Sequence, residues 1–303
     1  MTTAARLSAI VAAAAIAQLA APQVTPDRSR KYILRVPSTV APNEPAPLVF
    51  VFHGGSDTPE NTEKFTGFTD LARRERFIVA YPEGIAKSWA DGRQTTQADA
   101  RGVDDIGFVG SMVQQINAAH RVDTKRIYAT GPSNGGIFTH RLGCEMADMF
   151  AAIAPVIAGM PSKLVPNCKP ALPLPIISIQ GDADPLTPFE GGEEGGRFGA
   201  GGRVEGSAAT RELWRKFNGC DASPMVEGLT PRVRDRTSVT RTTYRGCRGD
   251  VVWYDIRGGG HRWPPGRLGP AAERVAQKTL GVSSQNLDTT ATIWTFFRDH
   301  PKP

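Results

Sequence analysis

The sequence predicts an α/β fold, with a mostly parallel central sheet and helices on both faces. Two observations carry that prediction. From about residue 31 onward, short strand-like runs alternate with helix-like segments, the rhythm of a sheet built through helical crossovers. Several of the strand runs are continuously apolar rather than alternating, as expected for strands covered on both sides. No internal repeat and no linker divides the 303 residues, so residues 31–303 are predicted to form one domain.

The elements follow in order. Lys31 to Val36 alternates like a half-buried strand, and Leu48-Val-Phe-Val-Phe52 is an unbroken apolar run. Phe77-Ile-Val-Ala-Tyr81 follows a helix-like stretch and stops at Pro82. Residues 104–120 place Ile106, Val109, Val113 and Ile116 three and four apart, the signature of one helix face. Arg126 to Thr130 is a short strand, and Asn134 to Met146 reads as a helix. Ala151 to Ile157 and Leu174 to Ile179 are further strands. A strand pair near 237–244 and 251–256 follows, and a last helix spans about Asp288 to His300. Residues 190–206 hold eight glycines among Glu and Arg residues. That composition predicts a long structureless loop, serving either as a mobile lid or as a solvated connection with no role.

The N-terminus has its own logic. Arg6 precedes a run of apolar and small residues from Leu7 to Ala20, and small residues at Ala15, Ala17, Ala20 and Ala21 offer cleavage positions. Residues 1–21 are therefore expected to be a secretory signal peptide and not a membrane span, and the chain an extracellular or periplasmic protein. No stable membrane insertion is expected. The four cysteines, Cys144, Cys168, Cys220 and Cys247, agree with an oxidising compartment. Three connectivities are possible; pairing nearest neighbours, Cys144 with Cys168 and Cys220 with Cys247, closes the shortest loops. No cysteine or histidine spacing suits a metal, and neither a metal nor any other cofactor is expected.

A formal charge of +6 raises the question of an anionic partner. The basic residues are scattered apart from stretches at 28–31 and 232–248, and the latter alternates Arg with Thr, Val and Ser like the exposed side of a strand. Nucleic-acid binding is excluded on that pattern. Nothing in the sequence sets an oligomeric state.

Chemistry enters at Gly131-Pro-Ser-Asn-Gly135. This is G-x-S-x-G placed between a predicted strand and a predicted helix, where a strained turn lifts Ser133 above the sheet edge. His53-Gly54-Gly55 follows the apolar strand 48–52; backbone N–H groups of Gly55 and Asn134 are the candidate donors for an oxyanion. His53 itself is expected to organise the loop. After the strand 174–179 comes Gln180-Gly-Asp-Ala-Asp-Pro185, where Asp182 and Asp184 compete as the acid. Of the five histidines, His120 and His300 sit at helix ends and His140 lies within the helix behind Ser133. His261, in Gly258-Gly-Gly-His-Arg-Trp263 beyond the strand 251–256, is left as the base. A serine, an aspartate and a histidine in that order, each just past a strand, is the arrangement of the α/β-hydrolase fold.

The motifs Val103-Asp-Asp-Ile-Gly-Phe108, Tyr128-Ala-Thr-Gly-Pro-Ser-Asn-Gly-Gly136, the stretch from Gly181 to Phe189 and Gly258-Gly-Gly-His-Arg-Trp-Pro264 resemble those of polyhydroxybutyrate depolymerase-like esterases. Those enzymes are related to feruloyl and acetyl xylan esterases. The resemblance runs from about residue 31 to the C-terminus. It implies Ser133 as nucleophile, His261 as base and, through a pattern similar to Gly-Thr-Ala-Asp, Asp184 as the acid in preference to Asp182. Trp89, in Ser88-Trp-Ala-Asp-Gly92, matches a loop that tends to face substrate in such enzymes; Trp89, Phe189 and Trp263 could line an acyl or aryl pocket, and each could equally be core packing. The expected reaction is hydrolysis of an ester through an acyl-enzyme, on hydroxyalkanoate oligomers or on feruloyl or acetyl esters of cell-wall polysaccharide. Acyl transfer to an alcohol is the rival within enzymes, and a non-catalytic polymer-binding protein the rival outside them.

Overall fold

The computed structural model describes residues 30–195 and 201–303. The expected signal peptide at 1–21 lies outside the described residues. The first half of the chain contributes β1 (Tyr32–Arg35), β2 (Ala46–Val51), α1 (Pro59–Thr66), α2 (Phe68–Glu75), β3 (Ile78–Pro82), α3 (Gln97–Ala100), α4 (Asp105–Ala119), β4 (Val122–Pro132) and α5 (Asn134–Glu145). The second half contributes β5 (Ala152–Val156), β6 (Ile176–Gly181), β7 (Gly191–Glu193), β8 (Arg203–Glu205), α6 (Ser207–Phe217), β9 (Met225–Gly228), β10 (Ser238–Thr243), β11 (Val251–Arg257), α7 (Pro270–Leu280) and α8 (Thr289–Asp299).

Nine strands form one sheet in the order β1-β3-β2-β4-β5-β6-β11-β10-β9. The run from β3 to β11 is parallel, while β1, β10 and β9 join antiparallel at the two edges. Every residue of β2 is buried, which explains its unbroken apolar sequence. Its successive side chains serve two different cores. Leu48, Phe50 and Phe52 pack with Phe108, Met112, Phe138 and Trp214, whereas Val49 and Val51 pack with Phe68, Phe77, Trp294 and Phe297. Helices α4, α5 and α6 thus cover one face of the sheet, and α2 and α8 the other.

The ends of the helices are set locally. Asp104 accepts from the Gly107 N–H at the start of α4, and Asp288 accepts from the Ala291 N–H at the start of α8. The stripe that α4 buries comprises Phe108, Val109, Met112 and Ile116. Ile106 and Val113, assigned to the same face from their spacing, are only partly buried. The disulfides join Cys144 to Cys168 and Cys220 to Cys247, the nearest-neighbour pairing.

Besides the two strands β7 and β8, four elements are absent from the sequence reading: α3, α6, β9 and α7. Helix α7 buries none of its residues, and every residue of β9 is exposed, so neither adds an apolar face to the core. The glycine-rich segment also differs from the expected loop. Its two ends pair as the antiparallel ribbon β7–β8, with Gly191 opposite Glu205 and Glu193 opposite Arg203. Residues 196–200 are outside the described part. Among the described residues, no helix is long and apolar enough to cross a membrane.

Candidate active site

Four connections converge at one edge of the sheet because β2, β4, β6 and β11 all run parallel, which places their C-terminal ends together. Between β4 and α5 the chain turns on a single residue. Ser133 has φ 54° and ψ −127°, a left-handed conformation that strains a residue bearing a Cβ. Close backbone packing enforces the turn. A Cβ on Gly135 would lie 2.6 Å from the His53 carbonyl oxygen, and one on Gly136 would lie 2.7 Å from the Val156 carbonyl oxygen. Only glycine admits that approach. Ser133 N–H donates to Val156 O at 3.0 Å and its carbonyl accepts from Ile137 N–H at 2.8 Å, tying it to both β5 and α5.

The loop after β2 passes directly over this turn. A Cβ on Gly54 would contact the Ser133 Cβ at 3.6 Å, and one on Gly55 the Asn134 Cβ at 3.7 Å. Asn134 is the first residue of α5, whose leading N–H groups have no intrahelical partner and carry the positive end of the helix dipole. The loop's shape is held from beneath by His53, which is fully buried. Its Nε2 accepts from Gly84 N–H at 2.8 Å, leaving Nδ1–H to donate to Gly54 O at 2.7 Å. Burial lowers the His53 pKa, which keeps the ring neutral for both bonds.

Beyond β6, Asp184 is nearly enclosed, with 2% of its side chain exposed. One carboxylate oxygen accepts from the backbone N–H groups of Leu186 and Thr187 at 2.7 and 2.8 Å. The other lies 2.8 Å from His261 Nδ1. An ionised carboxylate only accepts, so the imidazole proton sits on Nδ1 and the Nε2 lone pair is free to face the cleft. Asp182 is oriented elsewhere: it is exposed and accepts from Gly258 N–H at 2.6 Å. Ser133 and His261 line the same cleft, and no hydrogen bond joins their side chains in this structure. A hydroxyl, a carboxylate-anchored imidazole and a helix N-terminus around one cleft are the groups that acyl transfer requires.

The remaining histidines serve the scaffold. His140 is fully buried, accepting at Nδ1 from the Trp214 indole N–H at 3.1 Å, and burial pushes its pKa down to about 4. His120 and His300 terminate α4 and α8. Among the described residues, no group of three or more His, Cys, Asp or Glu side chains could hold a metal ion.

The cleft has a volume of about 440 Å³. Phe65, Ile157, Leu186, Trp263, Leu268 and Leu280 give it apolar walls, and Arg267 stands at its mouth. Of the three aromatic residues read as either pocket lining or core packing, Trp263 lines the cleft. Trp89 is completely buried, stacked on Phe138 at 5.3 Å with its indole N–H bonded to His53 O at 2.9 Å. It supports the loop from inside the core and does not face the cleft. Phe189 is partly buried outside the lining. The sequence reading missed Phe65, on α1, and Arg267, just before α7; their relation to Ser133 is purely tertiary. It also missed the buried charges Asp91, Arg93 and Glu194 that lie behind the site.

Sheet order, nucleophile-type turn and carboxylate–imidazole pair define an α/β-hydrolase. The solved structure of an acetyl xylan esterase from Aspergillus awamori shares this fold, with a TM-score of 0.52 at 16% identity over 76% of this chain and 88% of that one. Esterase PE8 does so with a TM-score of 0.53 at 13% identity over 89% and 99%. The family described as esterase PHB depolymerase matches residues 30–162. NocK of Nocardia uniformis subsp. tsuyamanensis, named as an esterase, is 32% identical over 88% of this chain and 80% of its own length. Feruloyl esterase B of Piromyces equi is 30% identical over 79% of this chain, which spans 44% of that longer protein. The chain belongs to the polyhydroxybutyrate depolymerase and feruloyl esterase-like family, and it is a carboxylic ester hydrolase.

Proposed function

We propose that Ser133 Oγ attacks the ester carbonyl while His261 Nε2 takes its proton, forming a tetrahedral intermediate. The backbone N–H groups of Gly55 and Asn134 stabilise the oxyanion. Collapse of the intermediate expels the alcohol, which leaves with the proton from His261, and the acyl group stays on Ser133. Water then repeats the sequence, with His261 as base, and releases the acid. Asp184 fixes the imidazole tautomer and stabilises the imidazolium in both steps. The 2.8 Å contact between Asp184 and His261, beside a cleft shared with Ser133, is the observation that carries this reading.

The cleft supports esters with an apolar or aryl acyl group. Phe65 and Trp263 stand at a 63° angle with centroids 6.3 Å apart, an edge-on pair that suits a flat ring or a short branched chain. Cinnamoyl-type esters are therefore ahead of simple acetates. Hydroxyalkanoate oligomers are the second reading: Arg267 makes no ion pair among the described residues and could take a terminal carboxylate at the cleft mouth. Export to an extracellular or periplasmic site is supported by the two disulfides.

Ser133→Ala is expected to abolish hydrolysis of p-nitrophenyl acetate while leaving the thermal unfolding curve in place; full turnover by that variant rejects the mechanism. Relative kcat/KM on methyl ferulate, acetylated xylan, and hydroxybutyrate oligomers with free or methyl-capped carboxyl ends decides the substrate. Preference for the uncapped oligomer, lost in Arg267→Ala, selects the second reading.

A further inference from the structure

The ribbon β7–β8 carries one acidic side chain inward. Glu194, immediately after β7, is 6% exposed although it lies in a glycine-rich acidic stretch. Its Oε1 accepts from the Thr187 hydroxyl at 2.8 Å, and Arg93 Nη1 stands 4.0 Å away. Its Oε2 is buried with no hydrogen-bond partner. The backbone on either side is clamped: Glu194 N–H donates to Gly202 O, Gly201 N–H donates to Glu194 O, and Thr95 Oγ1 donates to Gly201 O, each at 2.8 Å. The carboxyl is held in place by its own ribbon.

Thr187 is the link to the site. Its hydroxyl reaches Glu194, while its backbone N–H donates to Asp184 at 2.8 Å. On the other side, Arg93 forms a two-pronged contact with Asp91 at 2.9 and 2.7 Å, and Asp91 accepts from the Asn134 side-chain amide at 2.6 Å. One buried polar chain thus runs behind the cleft from Asn134 to Asp184. A buried carboxyl with an orphaned oxygen is costly to stability. Ordinary folding would be served as well by an apolar residue at 194.

We propose that Glu194 is a positioning residue for the Asp184–His261 pair, fixing Thr187 so that its amide grips Asp184. This rests on the acyl-enzyme reading above. The charged groups facing Glu194 are Arg93, after β3, His261, after β11, and Asp184, after β6. Burial raises the Glu194 pKa to about 7; Arg93 and His261 oppose that shift, and Asp184 adds to it. The carboxylate is therefore present at mildly alkaline pH, and in either protonation state an oxygen is left to accept from the Thr187 hydroxyl.

Glu194→Gln keeps the acceptor for Thr187 and removes only the charge. It is expected to keep kcat on p-nitrophenyl acetate within about twofold of the wild type. Glu194→Ala also removes the acceptor, and is expected to lower kcat on p-nitrophenyl acetate on the order of tenfold or more, with KM within about twofold. Thr187→Val, which deletes only the bridging hydroxyl, is expected to lower kcat in the same direction. It carries the test should either Glu194 variant fail to fold. An unchanged kcat in Glu194→Ala or in Thr187→Val, or a Glu194→Gln variant as impaired as Glu194→Ala, overturns the proposal. Fluorophosphonate labelling of the wild type separates the two levels. No adduct on Ser133 rejects the mechanism and this inference together, whereas a labelled wild type with an unchanged kcat in Glu194→Ala rejects the role of Glu194 alone.

Discussion

The side-chain amide of Asn134 donates to the Asp91 carboxylate across 2.6 Å, and its carbonyl oxygen accepts from Trp89 N–H at 2.9 Å. The first residue of the helix behind Ser133 is therefore bolted to the loop 88–93, while its own backbone N–H is left for the cleft. Asp91 is fully buried and paired with Arg93 at 2.7 Å. Asp91→Ala strands the Arg93 guanidinium in the interior and removes the Asn134 partner. A loss of about 3–5 kcal/mol is expected, read as a lowered urea midpoint. An unchanged midpoint would show that the pair is not needed to hold the loop.

Gly135 tests the turn itself. Its missing Cβ would press on the carbonyl oxygen of His53. In Gly135→Ala the loop carrying Gly54 and Gly55 must shift away from Ser133, and kcat is expected to fall on the order of a hundredfold. The far-UV spectrum should be retained. A variant with wild-type kcat would mean that the loop can move without consequence.

His140 gives the fold a dependence on acid. Its pKa is about 4 in the folded chain, against 6.5 for an unperturbed histidine. The unfolded chain therefore binds the extra proton first. Stability present above pH 6.5 is lost progressively as pH falls toward about 4, by up to roughly 3 kcal/mol from this group. Equilibrium unfolding across that range should show the slope in the wild type, and His140→Asn should flatten it. Equal slopes in both would assign the acid sensitivity elsewhere.

Trp89 and Phe65 separate support from selectivity. Trp89→Ala opens a void among Phe52, His53 and Phe138 and is expected to destabilise by about 3–5 kcal/mol. Its effect on activity should not discriminate between acyl groups. Phe65→Ala removes a cleft wall and should change the ratio of kcat/KM between methyl ferulate and p-nitrophenyl acetate at little cost in stability. The opposite pattern would exchange the two assignments.

Much of this arrangement is legible in the sequence because it is local. The apolar run of β2, the strand and helix either side of Ser133, and the glycines that allow the turn all lie within short windows. The placement of Asp184 and His261 just past strands follows from the parallel order of the sheet. Trp89 is not legible in the same way. A tryptophan in a loop reads as exposed, yet this loop is drawn into the core by Asn134, Asp91 and Asp105, whose carboxylate accepts from Ala90 N–H at 2.6 Å. Glu194 reads as one solvated acid among several, since its burial depends on Arg93 and Thr187 from distant segments. Helix α7 escapes the sequence reading because none of its residues joins the core; Ala276 and Leu280 line the cleft instead.

The cleft wall is also divided unevenly along the chain. Arg262, Trp263, Gly266, Arg267, Leu268, Ala276 and Leu280 all line it, and they come from one short stretch whose helix contributes nothing to the core. The groups proposed to react hang from strand ends that the core holds firmly. Exchanging residues 266–276 among relatives would therefore re-tailor which ester is accepted while leaving in place Trp263 in the core and the Leu280 carbonyl that accepts from His261 N–H. A family of this kind can diversify its substrates by swapping a single surface segment.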